Sequence, residues 1–144
     1  MTTIVMNTLN SSVTEYDWTF QSITPTHAGS ATGLFLLGGD LDGLAKIEPE
    51  ITTGKPLWDS SLKKHTRMVY FSVTGEGDGE LIVQGKNDEW RYDFTVQDSG
   101  QSRCQPGLGI RENYLAFGFS KPDGAAFTLD RIEVLDAPSQ TRRV

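Results

Sequence analysis

The chain is poor in the groups that most often carry chemistry. Cys104 is its only cysteine, so no intrachain disulfide can form and no cysteine-based metal site is available. His27 and His65 are the only histidines, 38 positions apart, which speaks against the usual zinc ligand sets. No apolar run approaches the ~18 residues of a membrane span, and the polar N-terminus reads as lacking a signal peptide. Positive charge is also short: 13 Lys+Arg stand against 19 Asp+Glu, for a net charge of −6. With no long basic run, the chain is not expected to track nucleic-acid phosphates or an anionic membrane surface. No cofactor is implied.

What is present favours strands. The length of 144 residues fits one domain, and a chain of this size buries roughly 70% of its unfolded surface, enough for a core without staples. Thr outnumbers Ala by 15 to 7, and 15 glycines punctuate the chain. Ala is the best helix former, whereas Thr and aromatic residues suit a pleated surface. The expected fold class is all-β, an antiparallel β-sandwich of jelly-roll character with at most one short helix. Its expected extent is a single domain over 1–136, followed by a polar tail over 137–144.

Patterning along the chain gives eight or nine expected strands. Thr2 to Met6 reads as a short first strand. Val13 to Ile23 follows, with Tyr16, Trp18 and Phe20 alternating with polar residues and Pro25, His27 and Gly29 ending it. The run Gly33 to Leu37 looks like a strand buried on both faces. Ala45, Ile47 and Ile51 alternate with charged residues, but Pro49 makes that segment an edge strand or a broken one. Leu57 to Lys64 is the only plausible helix.

The second half is clearer. Arg67 to Thr74 is a strong strand, Gly75 to Gly79 a reversing loop, and Glu80 to Gln84 the return strand. Trp90, Tyr92, Phe94 and Val96 share one face of the next strand; Leu115, Phe117 and Phe119 share a face of another. In the last strand, Phe127 and Leu129 have one parity, Ile132 and Val134 the other. One buried face then requires a bulge near Asp130-Arg131. Tight turns between consecutive strands imply antiparallel neighbours.

Few constellations rise above ordinary surface chemistry. Glu76-Gly-Asp78 and Asp40-Leu-Asp42 carry carboxylates of the type calcium takes, but neither completes a calcium loop. A glycosidase needs two carboxylates about 5–10 Å apart, and the sequence selects no pair. No nucleophile-elbow motif surrounds a serine. His65 reads as an exposed residue at the start of a strand. Arg103 beside Cys104 can lower a thiol pKa, yet no second Cys or His accompanies it. Gly107-Leu-Gly109 precedes a strand and not a helix, so it reads as an irregular crossing rather than a dinucleotide fingerprint. Trp18 and Trp90 share parity with other apolar residues and read as core; Trp58, after Pro56 in a loop-like stretch, is the better anchor for a partner or a sugar.

Several segments carry a resemblance. Thr3-Ile-Val-Met-Asn-Thr-Leu9, Thr14-Glu-Tyr-Asp17 and Phe20-Gln-Ser-Ile-Thr-Pro-Thr-His27 open the chain. Gly38-Gly-Asp40 and Thr52-Thr-Gly-Lys55 follow, then Gly107-Leu-Gly-Ile-Arg111, Tyr114-Leu-Ala-Phe117 and Gly124-Ala-Ala-Phe-Thr-Leu-Asp130. Together they resemble a group of virion structural proteins of tailed bacteriophages. That group often has Trp in the aromatic strand where this chain has Tyr114 and Phe117.

The resemblance implies a small β-sandwich component of the virion, in the tail, its collar or attached fibres. Such a part is assembled in the bacterial cytoplasm and acts without catalysis, by contacts with copies of itself and other virion proteins in a symmetric assembly. Leu57, Trp58, Arg142 and Arg143 are the expected interface residues. The alternatives are a carbohydrate-binding module that recognises a bacterial (host) surface glycan, and a hydrolase acting on cell-wall or capsule sugar.

Overall fold

A computed structural model describes residues 2–39, 41–42 and 44–138, and these form an all-β structure with no helix. The chain divides into two compact units, residues 1–40 and residues 41–144, where the sequence suggests one sandwich over 1–136.

In residues 1–40, β1 (Thr3–Met6) pairs antiparallel with β2 (Val13–Tyr16). A second small sheet joins β3 (Ser22–Ile23), β4 (His27–Ser30) and β5 (Gly33–Leu36) in that order. The single strand expected from Val13 to Ile23 is therefore interrupted after Tyr16. The Thr3 hydroxyl donates to the Trp18 carbonyl at 2.7 Å and accepts from the Phe20 N–H at 3.1 Å. These side-chain bonds take the place of ladder bonds and release the chain from the sheet. Likewise His27 and Gly29 do not end a strand; they lie within β4, which hairpins onto β5.

Residues 41–144 contain β6 (Leu41–Asp42), β7 (Ala45–Lys46), β8 (Glu50–Thr52), β9 (Lys64–Gly75) and β10 (Asp78–Gln84). They continue with β11 (Glu89–Thr95), β12 (Gln101–Cys104), β13 (Ala116–Ser120) and β14 (Phe127–Pro138). Two larger sheets dominate, ordered β11-β10-β13-β8 and β12-β9-β14. The segment around Pro49 is both broken and at an edge: β7 stops at Lys46, and β8 closes one side of its sheet. A proline is tolerated there because the missing N–H lies at a sheet edge just before β8, while its carbonyl accepts from Lys121 N–H.

The two sheets enclose one core in a sandwich-like arrangement. Alternation places Val69, Phe71 and Val73 of β9 inward, against Leu81 and Val83 of β10 and Leu115, Phe117 and Phe119 at β13. Phe71 stacks on Phe94 at 4.6 Å between centroids, and Phe119 meets Phe71 at 5.7 Å and Phe127 at 5.0 Å. Such contacts join the two layers directly. The expected break of parity in the last strand is present. β14 shifts register against β9 between Leu129 and Arg131, which returns Ile132 opposite Phe71 and Val134 opposite Val69. A second shift follows at Leu135/Asp136.

The connections correct one expectation. Gly75 to Gly79 does not fold β10 back onto β9: the strands belong to different sheets. The chain turns the corner between layers at Gly77, whose φ is 80°. A side chain there would collide with the Asp123 carboxylate. Among strands β8 to β14, only β10 and β11 are both consecutive and paired. Of the expected tail over 137–144, Ala137 and Pro138 continue β14 opposite His65 and Lys64, and 139–144 lie outside the described residues.

Candidate functional site

Leu57 and Trp58 lie on the segment between β8 and β9. It is not the helix the sequence suggested. Trp58 and Asp59 have φ of 49° and 60°, left-handed conformations that end any right-handed helix and that side-chain-bearing residues adopt at a cost of roughly 1–3 kcal/mol each. Surrounding bonds hold them there. The Thr53 N–H donates to the Phe117 carbonyl, and the Phe117 N–H donates to the Thr53 hydroxyl, at 2.9 and 3.1 Å. The Trp58 indole N–H donates to the Leu115 carbonyl at 2.8 Å while its ring packs on Phe117 at 6.1 Å.

Lys64 fastens the far end of the segment. Its side chain is buried, and Nζ donates to the carbonyls of Ser60 (2.5 Å), Leu62 (3.3 Å) and Asn113 (3.3 Å). The Asn113 amide donates in turn to the Ser61 carbonyl. The result is a fixed loop whose Leu57 and Trp58 remain 38% and 43% exposed. Pro56 to Ser61 line a shallow cleft of about 510 Å³ beside them. Its surface is mainly apolar, with hydroxyls and one carboxylate (Asp59).

Residues 1–40 present a second apolar surface that the sequence reading missed. Ala28 is buried, but Ile4, Met6, Leu9, Val13, Leu34 and Leu36 are all exposed, Leu9 at 95% and Leu34 at 73%. The run Gly33 to Leu37 is thus not buried on both faces. Phe35 and Leu37 are half-buried, Phe35 edge-on to Trp18 at 4.9 Å. Trp18 itself, expected in the core, is 39% exposed, whereas Trp90 is half-buried against the main core as expected. Tyr16, Trp18, Phe20 and Phe35 pack on one another within residues 1–40, yet the six side chains named above stay open, which continuous hydrophobicity alone does not reveal.

The remaining candidates resolve into structural roles. The carbonyls of Glu76 and Asp78 accept from the buried ammonium of Lys121 at 2.5 and 2.9 Å, and Asp123 pairs with it at 2.8 Å. The cation of this acidic loop is the chain's own. Of Asp40-Leu-Asp42, Asp40 lies outside the described residues, and Leu41–Asp42 form β6. Among the described residues, no group of three or more His, Cys, Asp or Glu is placed to hold a metal.

Cys104 points into the core and Arg103 away from it, as alternation along β12 requires. Burial, with the nearby Asp93 charge, pushes the thiol up to about 11, so it is not a ready nucleophile. His65 is half-buried in β9 rather than exposed at its start, and its Nδ1 and the Thr66 hydroxyl are buried without partners. Gly107 to Ile110 turn the chain between β12 and β13, an irregular crossing as expected.

Arg91 gathers Glu89 (2.7 Å), Glu80 (2.8 Å) and Glu50 (3.0 Å), clasping β11, β10 and β8. Hydrogen bonds from Arg91 and Gln84 hold the Glu89 carboxyl below its usual range, and the three carboxylates raise the guanidinium above its own. Arg142 and Arg143, the other expected interface residues, lie outside the described residues. No protein-family model matches the chain, and no curated protein matches it in sequence.

Proposed function

We propose that the protein is a non-enzymatic structural component of a bacteriophage virion, in the tail, collar or attached fibres, and that it acts through subunit contacts in a symmetric assembly. The observation that carries this reading is the unpaired apolar surface of residues 1–40, where six large side chains on or beside small strands face outward. Exposed apolar surface gathered in this way marks protein–protein contact sites. Copies of the chain and other virion proteins are the partners that would cover it. Many weak contacts around a ring or trimer become strong together.

The rigid Leu57–Trp58 loop supplies a second anchor, because a pre-ordered aromatic loses little freedom on binding. The jelly-roll character expected of the sandwich belongs to the same proposal. It is supported by a chain that passes from one sheet to the other between β9 and β10, β11 and β12, β12 and β13, and β13 and β14. The resemblance described above points to the virion as the place of assembly.

Mass spectrometry of purified particles tests the reading. The chain is expected among the particle proteins at several copies each, and a cryo-electron-microscopy map should show residues 1–40 against a neighbour. Absence from purified particles would overturn it.

A further inference from the structure

We propose that the cleft where β11 and β12 approach one another is a binding site for a neutral oligosaccharide. This goes beyond the assembly reading and does not depend on it. The cleft has a volume of about 610 Å³ and is lined by Tyr70, Thr95, Gln97, Gln101, Ser102 and Arg103. That volume lies within the ~300–1,000 Å³ typical of small-ligand sites.

Its geometry follows from the strands. β9 turns Val69 and Phe71 into the core, so Tyr70 faces outward, 41% exposed. The register of β12 on β9 places Arg103 opposite Tyr70 and Gln101 opposite Ser72. Thr95 ends β11 at the edge of the other sheet, and Gln97 follows it. The floor is fixed. Buried Ser102 accepts the Gln97 N–H at 2.9 Å, the Gln97 amide donates to the Thr95 carbonyl at 3.3 Å, and the Thr95 hydroxyl donates to Asp78 at 3.0 Å. The Gln101 amide and the Arg103 guanidinium make no side-chain hydrogen bond or ion pair among the described residues.

These groups fit a hexose. The phenol ring offers a flat apolar face with a polar edge, suited to the C–H face of a sugar ring. Each glutamine amide brings donors and an acceptor, which is what a ring of hydroxyls needs. The planar fork of Arg103 can donate to two adjacent hydroxyl oxygens at once. The single cation of the lining is offset by acids around it, so an acidic sugar gains no advantage over a neutral one. Arg103 is the only cation among the six lining residues, Asp78 bonds the cleft wall, and the Asp93 charge reaches neighbouring Cys104. With a net charge of −6 overall, the chain repels a polyanion. None of the six lining residues is a carboxylate, so the chemistry is recognition without hydrolysis.

The test is a glycan array probed with the full chain, carrying neutral hexose and N-acetylhexosamine oligosaccharides beside uronate-containing and sialylated ones. Titration calorimetry of the strongest neutral binder follows, with amide chemical shifts mapped on the wild-type protein. At least one neutral oligosaccharide should bind and move the amides of residues 95–103. Tyr70→Ala and Arg103→Ala should each weaken it about tenfold or more. Lys86→Ala, in the exposed turn between β10 and β11, should leave it unchanged. Binding of acidic glycans only, binding of none, or binding lost in Lys86→Ala but kept in Tyr70→Ala would overturn the proposal. The shift map reads the site directly should either variant fold poorly.

Discussion

Phe71 in β9 and Leu34 in β5 are both apolar residues of antiparallel strands, yet the first is 1% exposed and the second 73%. The difference lies in what each strand can face. β9 has a second sheet opposite, and Phe71 touches Phe94 and Phe119 across the gap. β5 pairs with β4, and its Phe35 meets Trp18, but Leu34 next along the strand is left open. A sheet buries a face only when another layer covers it, and about 40 residues is the length below which chains usually need a metal, a disulfide or a neighbour.

Charge follows the same division. Residues 1–40 contain no Lys or Arg, whereas all 13 basic side chains fall in residues 41–144. There, Lys64, Arg91 and Lys121 fasten loops and strands. The region with a core has its own clamps as well; in the assembly account, the other depends on its surroundings.

Substitutions on the two sides should separate sharply. The largest effect is expected from Phe71→Ala, which opens a cavity between the sheets and should cost about 3–5 kcal/mol in denaturant unfolding. Lys121→Met comes next. It leaves the Glu76 and Asp78 carbonyls without their donor, at about 1–3 kcal/mol, and it should also change the acid limb of the stability curve. Hydrogen bonds from Lys121 and the Ala125 N–H hold the Asp123 carboxyl below its usual range. A carboxyl depressed in the folded state stabilises above its unfolded value, about 3.9, and that stabilisation is lost as pH falls through the folded value. The variant should show a shallower loss of stability over this window.

Trp58→Ala should cost less, about 1–2 kcal/mol, through one hydrogen bond and one ring contact on a partly exposed loop. Smallest of all, Leu34→Ser with Leu36→Ser should change monomer stability by no more than about 0.5 kcal/mol yet weaken self-association in sedimentation velocity. A large loss of monomer stability from that pair would erase the contrast between the regions.

Much of residues 64–138 was legible in the sequence, because alternation there has long uninterrupted stretches. The change of parity between Leu129 and Ile132 even located the register shift in β14. Sheet membership was not legible. Gly75 to Gly79 has the composition of a hairpin turn, and whether it closes a hairpin or turns a corner depends on which strands pair over long range. The first half misled for another reason. Alternation over Tyr16, Trp18 and Phe20 suggested a strand, but Thr3 captures the backbone at Trp18 and Phe20 from 15 and 17 residues away.

At the candidate site, the sequence offered Trp58 both a loop-like stretch after Pro56 and a helix from Leu57 to Lys64, and the structure takes the loop. Its left-handed backbone and the Lys64 clamp were not visible, because the partners at Leu115 and Asn113 lie about 50 residues further on. The cleft at Tyr70 was hidden by the strong strand pattern around it. Only the register of β12 on β9 brings Arg103 to its side.

Hydrogen exchange of the full chain, followed by mass spectrometry in dilute monomer and in the assembled particle, tests the assembly claim most directly. Amides of β1 to β5 should exchange rapidly in the monomer and become protected in the particle, while β9, β10 and β13 stay protected in both. Protection of β1 to β5 in the dilute monomer equal to that of β9 would contradict the account, because residues 1–40 would then need no neighbour.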